Sequence, residues 1–157
     1  MKIVSVGGGL AYGALGASHH ATEDIAVMRS LPEMTVVAPG DPVEAEEATR
    51  ALMTRAGPAY LRLGRSGEPL VHSEHIDFQV GKAICVADGD DVTLIATGTM
   101  LYAAVQAARH LAQEGIATRV LSMHTIKPLD VDAVYAAAKD TQAIVTIEEH
   151  SIIGGLG

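Results

Sequence analysis

The feature that most constrains this chain is a repeated alternation. Six short runs of β-type apolar residues, Ile3–Val6, Thr35–Ala38, Ala59–Leu63, Val92–Ala96, Arg119–Met123 and Ala143–Ile147, are separated by longer stretches, several with helical character. A strand followed by a helix, again and again, buries its apolar faces best by laying parallel strands side by side beneath helices on both faces. An α/β fold with mostly parallel sheets is therefore expected. The clearest helix has Leu101, Ala104, Val105, Ala108, Leu111 and Ala112 at three- and four-residue spacing, with Gly115 as its stop. Asp41-Pro42-Val43-Glu44 reads as an N-cap, a proline in the first turn and a capping acid, and so predicts a helix from Pro42 to about Arg55. Thr22 is expected to cap a short helix with acids in its first turn, and Asp130 another.

Between these halves, Ser66 to Asp77 is polar and aperiodic and carries Gly67, Pro69, His72 and His75, which marks an interdomain connection. The expected division is residues 1–66, a linker at 67–80, and residues 81–157. The first strand has no unit before it, and Gly154-Gly155-Leu156-Gly157 stands where a next helix would start. Each half is thus expected to be part of a domain and to expose apolar surface.

Composition excludes several classes. The 157 residues carry 11 Lys+Arg against 19 Asp+Glu, a net charge of −8 that repels a phosphate backbone, so nucleic acid is not an expected partner. Apolar runs such as Val92–Ala96 are too short to span a bilayer, and the N-terminus has no signal-peptide pattern, so a cytoplasmic location with no membrane contact is expected. The single cysteine, Cys85, excludes an internal disulfide, and its apolar run Ala83–Val86 predicts a buried thiol.

Two segments invite a chemical reading. Gly7-Gly8-Gly9-Leu10-Ala11-Tyr12-Gly13 follows a strand, but its spacing is not the dinucleotide fingerprint, and a loop needing positive φ is the expectation. Gly16-Ala17-Ser18-His19-His20 sets two adjacent histidines in a small-residue loop. No third ligand lies at a recognisable spacing, so a metal site is not expected. On the residues alone, a catalytic histidine and an ordinary pair, one hydrogen-bonded and one exposed, stand level.

Several motifs together resemble the transketolase family. The run from Gly13 through Met28-Arg29-Ser30-Leu31-Pro32 to Val37-Ala38-Pro39-Gly40-Asp41-Pro42 is similar to its pyrimidine-binding domain, as is Gly57-Pro58-Ala59-Tyr60-Leu61-Arg62-Leu63-Gly64-Arg65. Ile126-Lys127-Pro128-Leu129-Asp130 and Glu148-Glu149-His150 resemble the C-terminal domain, here lacking its last helix. The resemblance covers essentially the whole chain and is nearest to split transketolases, whose halves are separate subunits.

The resemblance implies transfer of a two-carbon ketol unit between sugar phosphates by thiamine diphosphate with magnesium. It implies an N-terminal transketolase subunit as partner, in a homo- or hetero-oligomer. His19 matches the family's histidine over the thiazolium ring, with His20 supporting it, and Arg65 matches the arginine that binds the sugar's phosphate. Arg62, earlier on the same strand, is expected to point the same way and assist. Glu23 and Glu149 are not expected to replace the family's glutamate that contacts the aminopyrimidine, since that position lies upstream of this sequence. The chain alone is therefore expected to be inactive and to bind the cofactor weakly. Leu15 stands where many relatives have a hydroxyl-reading aspartate. Two other functions are compatible with the fold: the β subunit of a thiamine-dependent 2-oxo acid dehydrogenase component, and a non-catalytic assembly fragment.

Overall fold

The computed structural model describes residues 1–73 and 75–157 and contains two sheets. In chain order its elements are β1 (Lys2–Val6), two 3-10 turns (Gly13–Leu15 and Ala17–His19), α1 (Asp24–Ser30), β2 (Thr35–Val37), α2 (Pro42–Thr54) and β3 (Ala59–Leu63). There follow β4 (Ile84–Ala87), β5 (Val92–Ala96), α3 (Met100–Gln113), β6 (Thr118–Ser122), β7 (Thr125–Lys127), α4 (Val131–Asp140) and β8 (Ala143–Ile147). The first sheet runs β1-β3-β2-β7 and the second β4-β6-β5-β8, and in each only one terminal strand, β7 or β4, is antiparallel to its neighbour. The α/β class with mostly parallel sheets is the observed one.

Alternation of side chains across each strand divides the cores. In the first sheet Val36 and Tyr60 pack with Ile25 on the α1 face, while Val37 and Leu61 pack with Ala48 and Leu52 on the α2 face. In the second, Leu94 and Val120 meet Leu101, Ala104 and Ala108 of α3, and Ile95, Leu121 and Met123 meet Ala137 of α4. The α3 stripe is thus core from Leu101 to Ala108, as its spacing predicts, whereas Leu111 is half-buried and Ala112, in the last turn, is exposed. Helix α2 has the expected cap, with Asp41 Oδ1 accepting the Glu44 N–H at 2.8 Å and Pro42 in the first turn, and it stops at Thr54, within a residue of the expected end. Asp130 caps α4 by accepting from Ala133 N at 3.2 Å.

Three expectations are corrected. Thr22 does not cap α1, because its hydroxyl donates to Glu23 Oε1 at 3.0 Å and the N-cap position falls on Glu23, which makes no side-chain cap bond. Cys85 is exposed rather than buried. It lies on β4, the terminal strand of its sheet, where alternation turns Val86 into the core and Cys85 away from it. Strands β4 and β7 come in addition to the six expected runs, and both are terminal strands of their sheets.

Strand β7 matters most for the architecture. It comes from the second half of the chain yet pairs with β2 of the first sheet, through Val36↔Lys127 and Val37↔Thr125. Further backbone bonds join the halves, from Ala38 N to His124 O at 2.7 Å and from Gly98 N to Ala38 O at 3.0 Å. Gly40 lets the start of α3 approach, since a Cβ there would lie 2.5 Å from the Leu101 side chain.

Candidate active site

The candidate residues sit at one end of the first sheet. Strands β1 and β3 are parallel and in register, Val6 opposite Leu63, so the loops leaving both strands start side by side. Gly7 N bonds to Leu63 O at 3.1 Å and to Gly64 O at 2.8 Å. The carboxyl ends of parallel strands form the crevice in which open α/β sheets bind ligands. The loop after β1 carries His19 and His20, and the loop after β3 carries Arg65.

Glycine in this turn answers close packing as well as backbone angle. Gly7 and Gly9 have φ of 91° and 64°, as a positive-φ loop requires. Gly8 is different: a Cβ there would lie 2.7 Å from Arg62 Nε, and one at Gly9 would lie 2.4 Å from Glu149 Cβ. The turn is therefore pressed against two charged residues, one from each half. Gly9 and Ala21 then form an antiparallel bridge with both N–H···O distances at 2.9 Å, closing the histidine loop at its base.

His19 is exposed, and its Nδ1 lies 3.1 Å from Ser18 Oγ. When that hydroxyl donates to Nδ1, the ring proton sits on Nε2, on the side open to a reactant. His20 is half-buried and its Nε2 lies 3.3 Å from the Gly13 carbonyl, tying the two 3-10 turns together. Leu15, at the end of the first turn, is 58% exposed. Arg65 is exposed, and its backbone N–H donates to Glu68 Oε1 at 3.2 Å. It lines a cleft of about 300 Å³ with Val6, Pro42, Ala45, Leu63 and Thr99; His19 is not part of that lining.

Arg62 does not stand with Arg65. Arg65 lies in the loop beyond the end of β3 at Leu63, whereas Arg62 is within the strand and points inward with its side chain 4% exposed. Its Nε donates to Asp24 Oδ2 at 2.9 Å, and its Nη2 donates to Ala21 O at 2.8 Å and Glu149 O at 2.9 Å. Tyr60 Oη also donates to Asp24 Oδ2, at 2.7 Å, and burial beside that carboxylate pushes the Tyr60 phenol up to about 12. The Arg62 guanidinium is thereby used within the protein, and the expectation that it shares the direction of Arg65 is overturned.

A second titratable cluster lies where the connection returns over α2. Glu44, fully buried, accepts from Gly40 N at 2.6 Å and from His72 Nε2 at 2.9 Å. That hydrogen bond to Glu44 raises the His72 pKa, against the opposing effect of burial. His124 is fully buried and stacks on Phe78 with ring centroids 4.0 Å apart, and burial lowers its pKa. Sequence reasoning missed this cluster, although Asp41 and Glu44 were in view as helix caps. Among the described residues no three His, Cys, Asp or Glu are grouped to hold a metal ion, and no helix is long and apolar enough to cross a membrane.

Comparison with known proteins bears on these groups together. Residues 1–68 match the transketolase pyrimidine-binding domain, and residues 81–157 match the transketolase C-terminal domain. The chain belongs to the transketolase family. It is 46% identical, over its full length, to a subunit of the apulose-4-phosphate transketolase of Phocaeicola vulgatus, covering 51% of that subunit. It is 41% identical to the 6-deoxy-6-sulfo-D-fructose transketolase subunit SqwH of a Clostridium species, again over its full length, covering 49% of that protein. A solved structure of a split gene transketolase, an inactive beta4 tetramer, superposes with a TM-score of 0.89 at 43% identity, covering 99% of this chain and 50% of the other. This transketolase-family chain thus spans about half the length of these relatives.

Proposed function

We propose that this chain contributes the C-terminal side of a split transketolase, which with an N-terminal subunit transfers a two-carbon ketol unit between sugar phosphates. The observation that carries this is similarity along the whole chain to one subunit of a transketolase that is itself built from separate subunits. The same reading divides the chain into a partial pyrimidine-binding domain at 1–66, a linker at 67–80 and a C-terminal-type domain at 81–157, in a cytoplasmic enzyme. Thiamine diphosphate with magnesium, when bound, would supply the nucleophilic carbon and the electron sink for breaking a carbon–carbon bond. The residues present fit one end of such a site. An exposed imidazole and an exposed guanidinium follow the ends of two adjacent parallel strands. In this reading the diphosphate and magnesium contacts come from the N-terminal subunit.

His19 hydrogen-bonds the substrate carbinol and moves a proton through Nε2. Ser18 at Nδ1 orients the ring, and His20 steadies the loop through Gly13. Arg65 binds the phosphate of the sugar through its planar fork, which matches two oxygens at once. That phosphate contact holds one end of the substrate in place while the carbonyl end meets His19. Leu15 offers no hydrogen bond at the position where relatives read a hydroxyl, so discrimination of hydroxyl configuration is relaxed there.

The 2-oxo acid dehydrogenase alternative is less well supported, because the similar proteins bear sugar transketolase names and a simple oxo acid gives Arg65 no phosphate. That one relative is an inactive beta4 tetramer supports inactivity of this chain alone and its readiness to associate. The deciding experiment is reconstitution with the N-terminal subunit, cofactor, magnesium and a ketose phosphate, using this chain and a version extended upstream. Ketol transfer is expected with the extended version only. Absence of transfer with both would remove the assignment.

A further inference from the structure

Arg62 reaches three separate segments from inside the protein. Its three hydrogen bonds end on the first residue of α1, on Ala21 at the base of the histidine loop, and on Glu149 beyond β8. Two of these acceptors are main-chain carbonyls outside the sheet that carries the arginine. The Glu149 segment is itself fastened: Thr99 Oγ1 donates to Glu149 Oε2 at 2.9 Å, and Ser151 N donates to Thr22 O at 2.8 Å. His150 Nε2 lies 3.3 Å from Ala26 N, adding a further link to α1.

We propose that Arg62 is a positioning residue that holds the loop carrying His19 and His20 over the ends of β1 and β3, and takes its own position from residues 149–151. The significance for catalysis rests on the function proposed above; the mechanical role does not. Guanidinium suits the task because Nε and Nη2 hold their N–H donors at fixed positions in one rigid plane. Nε meets a carboxylate while the two N–H bonds of Nη2 are shared by two carbonyls. An ammonium at the same depth is a point charge and would leave part of this set unpaired. The glycines complete the device, since Gly8 has room only for hydrogen beside Nε and Gly9 only for hydrogen beside Glu149. The second half of the chain thereby sets the height of a loop that belongs to the first half.

Two variants disturb this contact from opposite sides: Arg62→Lys alters the fork, and Gly8→Ala pushes a methyl group against it. Val37→Ala serves as control, because it thins the far face of the same sheet and lowers the melting temperature without touching the loop. Hydrogen–deuterium exchange is followed on the whole 157-residue chain, without cofactor or substrate. The His19 and Ala21 amides, bonded to Gly16 O and Gly9 O, are expected to exchange about tenfold faster in both test variants and to stay near the wild-type rate in Val37→Ala. In the reconstituted extended enzyme, Arg62→Lys is expected to lower kcat about tenfold while KM for the sugar phosphate stays within about twofold, since Arg65 is untouched. Wild-type loop exchange in both variants, or equal loosening in Val37→Ala, would overturn the proposal. Loosening of the loop beside a reconstituted wild-type enzyme that transfers no ketol unit would keep the positioning role and remove the function.

Discussion

Two arginines three residues apart on one chain end in different surroundings, and each makes a different prediction. Arg65 is exposed beside a cleft, whereas Arg62 is buried among two carbonyls and a carboxylate. In a reconstituted enzyme, Arg65→Ala should weaken phosphorylated substrates by about 1.5–3 kcal/mol, tenfold to a hundredfold, with little effect on unphosphorylated analogues. Equal losses for both substrate types would make Arg65 structural. His19→Ala should reduce turnover without changing the melting temperature, because its one side-chain bond is to the neighbouring Ser18 on an exposed loop. Unchanged turnover would take His19 out of the site. The two arginines also mark how much of the site is legible in sequence. A motif shows that both arginines are present, but only the end of β3 at Leu63 and the acceptors that meet Arg62 inside the protein decide which one faces solvent.

At the scale of elements, the start of α2 carries more than a cap. Asp41 Oδ1 caps the helix, while Oδ2 accepts from the Val71 and His72 amides, both at 2.9 Å, so one carboxylate holds the helix and the returning connection. Asp41→Ala should therefore cost more than the roughly 1 kcal/mol of an ordinary cap, and a urea midpoint lowered by no more than an ordinary cap loss would contradict this. His72 makes this element pH-dependent. Its folded pKa is raised, so its contribution is complete below the unfolded value near 6.5 and disappears as the pH rises through the folded pKa. His124 works the other way, its lowered folded pKa favouring the fold above that unfolded value and penalising it as the pH falls. His72→Gln should thus destabilise more at pH 6 than at pH 9, and an equal loss at both would show that the His72 charge is not used.

For the whole molecule, β7 makes the halves interdependent. A strand from the second half completes the first sheet, and segment 149–151 braces the histidine loop, so unfolding either half strips contacts from the other. A single cooperative transition is expected in urea, and two separated transitions would contradict it. Apolar side chains remain open at both ends, with Val4 and Val6 59% and 58% exposed and Ile152 and Ile153 93% and 79% exposed. Such surfaces favour association, measurable by sedimentation. Calorimetry of the chain alone with thiamine diphosphate and magnesium should give no binding at micromolar concentration or tighter; tight binding would mean that this half anchors the diphosphate by itself.

Local pattern determined most of the elements. Six strands announce themselves by short runs of β-type apolar residues, and α2 and α3 by a cap and by a stripe at helical spacing, because these signals come from interactions within a few residues. The resemblance at His19 and Arg65 was equally open to a reader of the sequence. What tertiary structure alone decided is of another kind. Strand β7 has three residues, too few to show a period, and exists because β2 offers an unpaired edge. Cys85 is exposed because β4 ends its sheet, and Thr22 fails as a cap because its hydroxyl turns to Glu23. Arg62 is buried because Asp24, Ala21 and Glu149, drawn from distant parts of the chain, converge on it. Short-range spacing cannot encode such meetings, since partners such as Arg62 and Glu149, 87 positions apart, are brought together only when the sheets and helices pack.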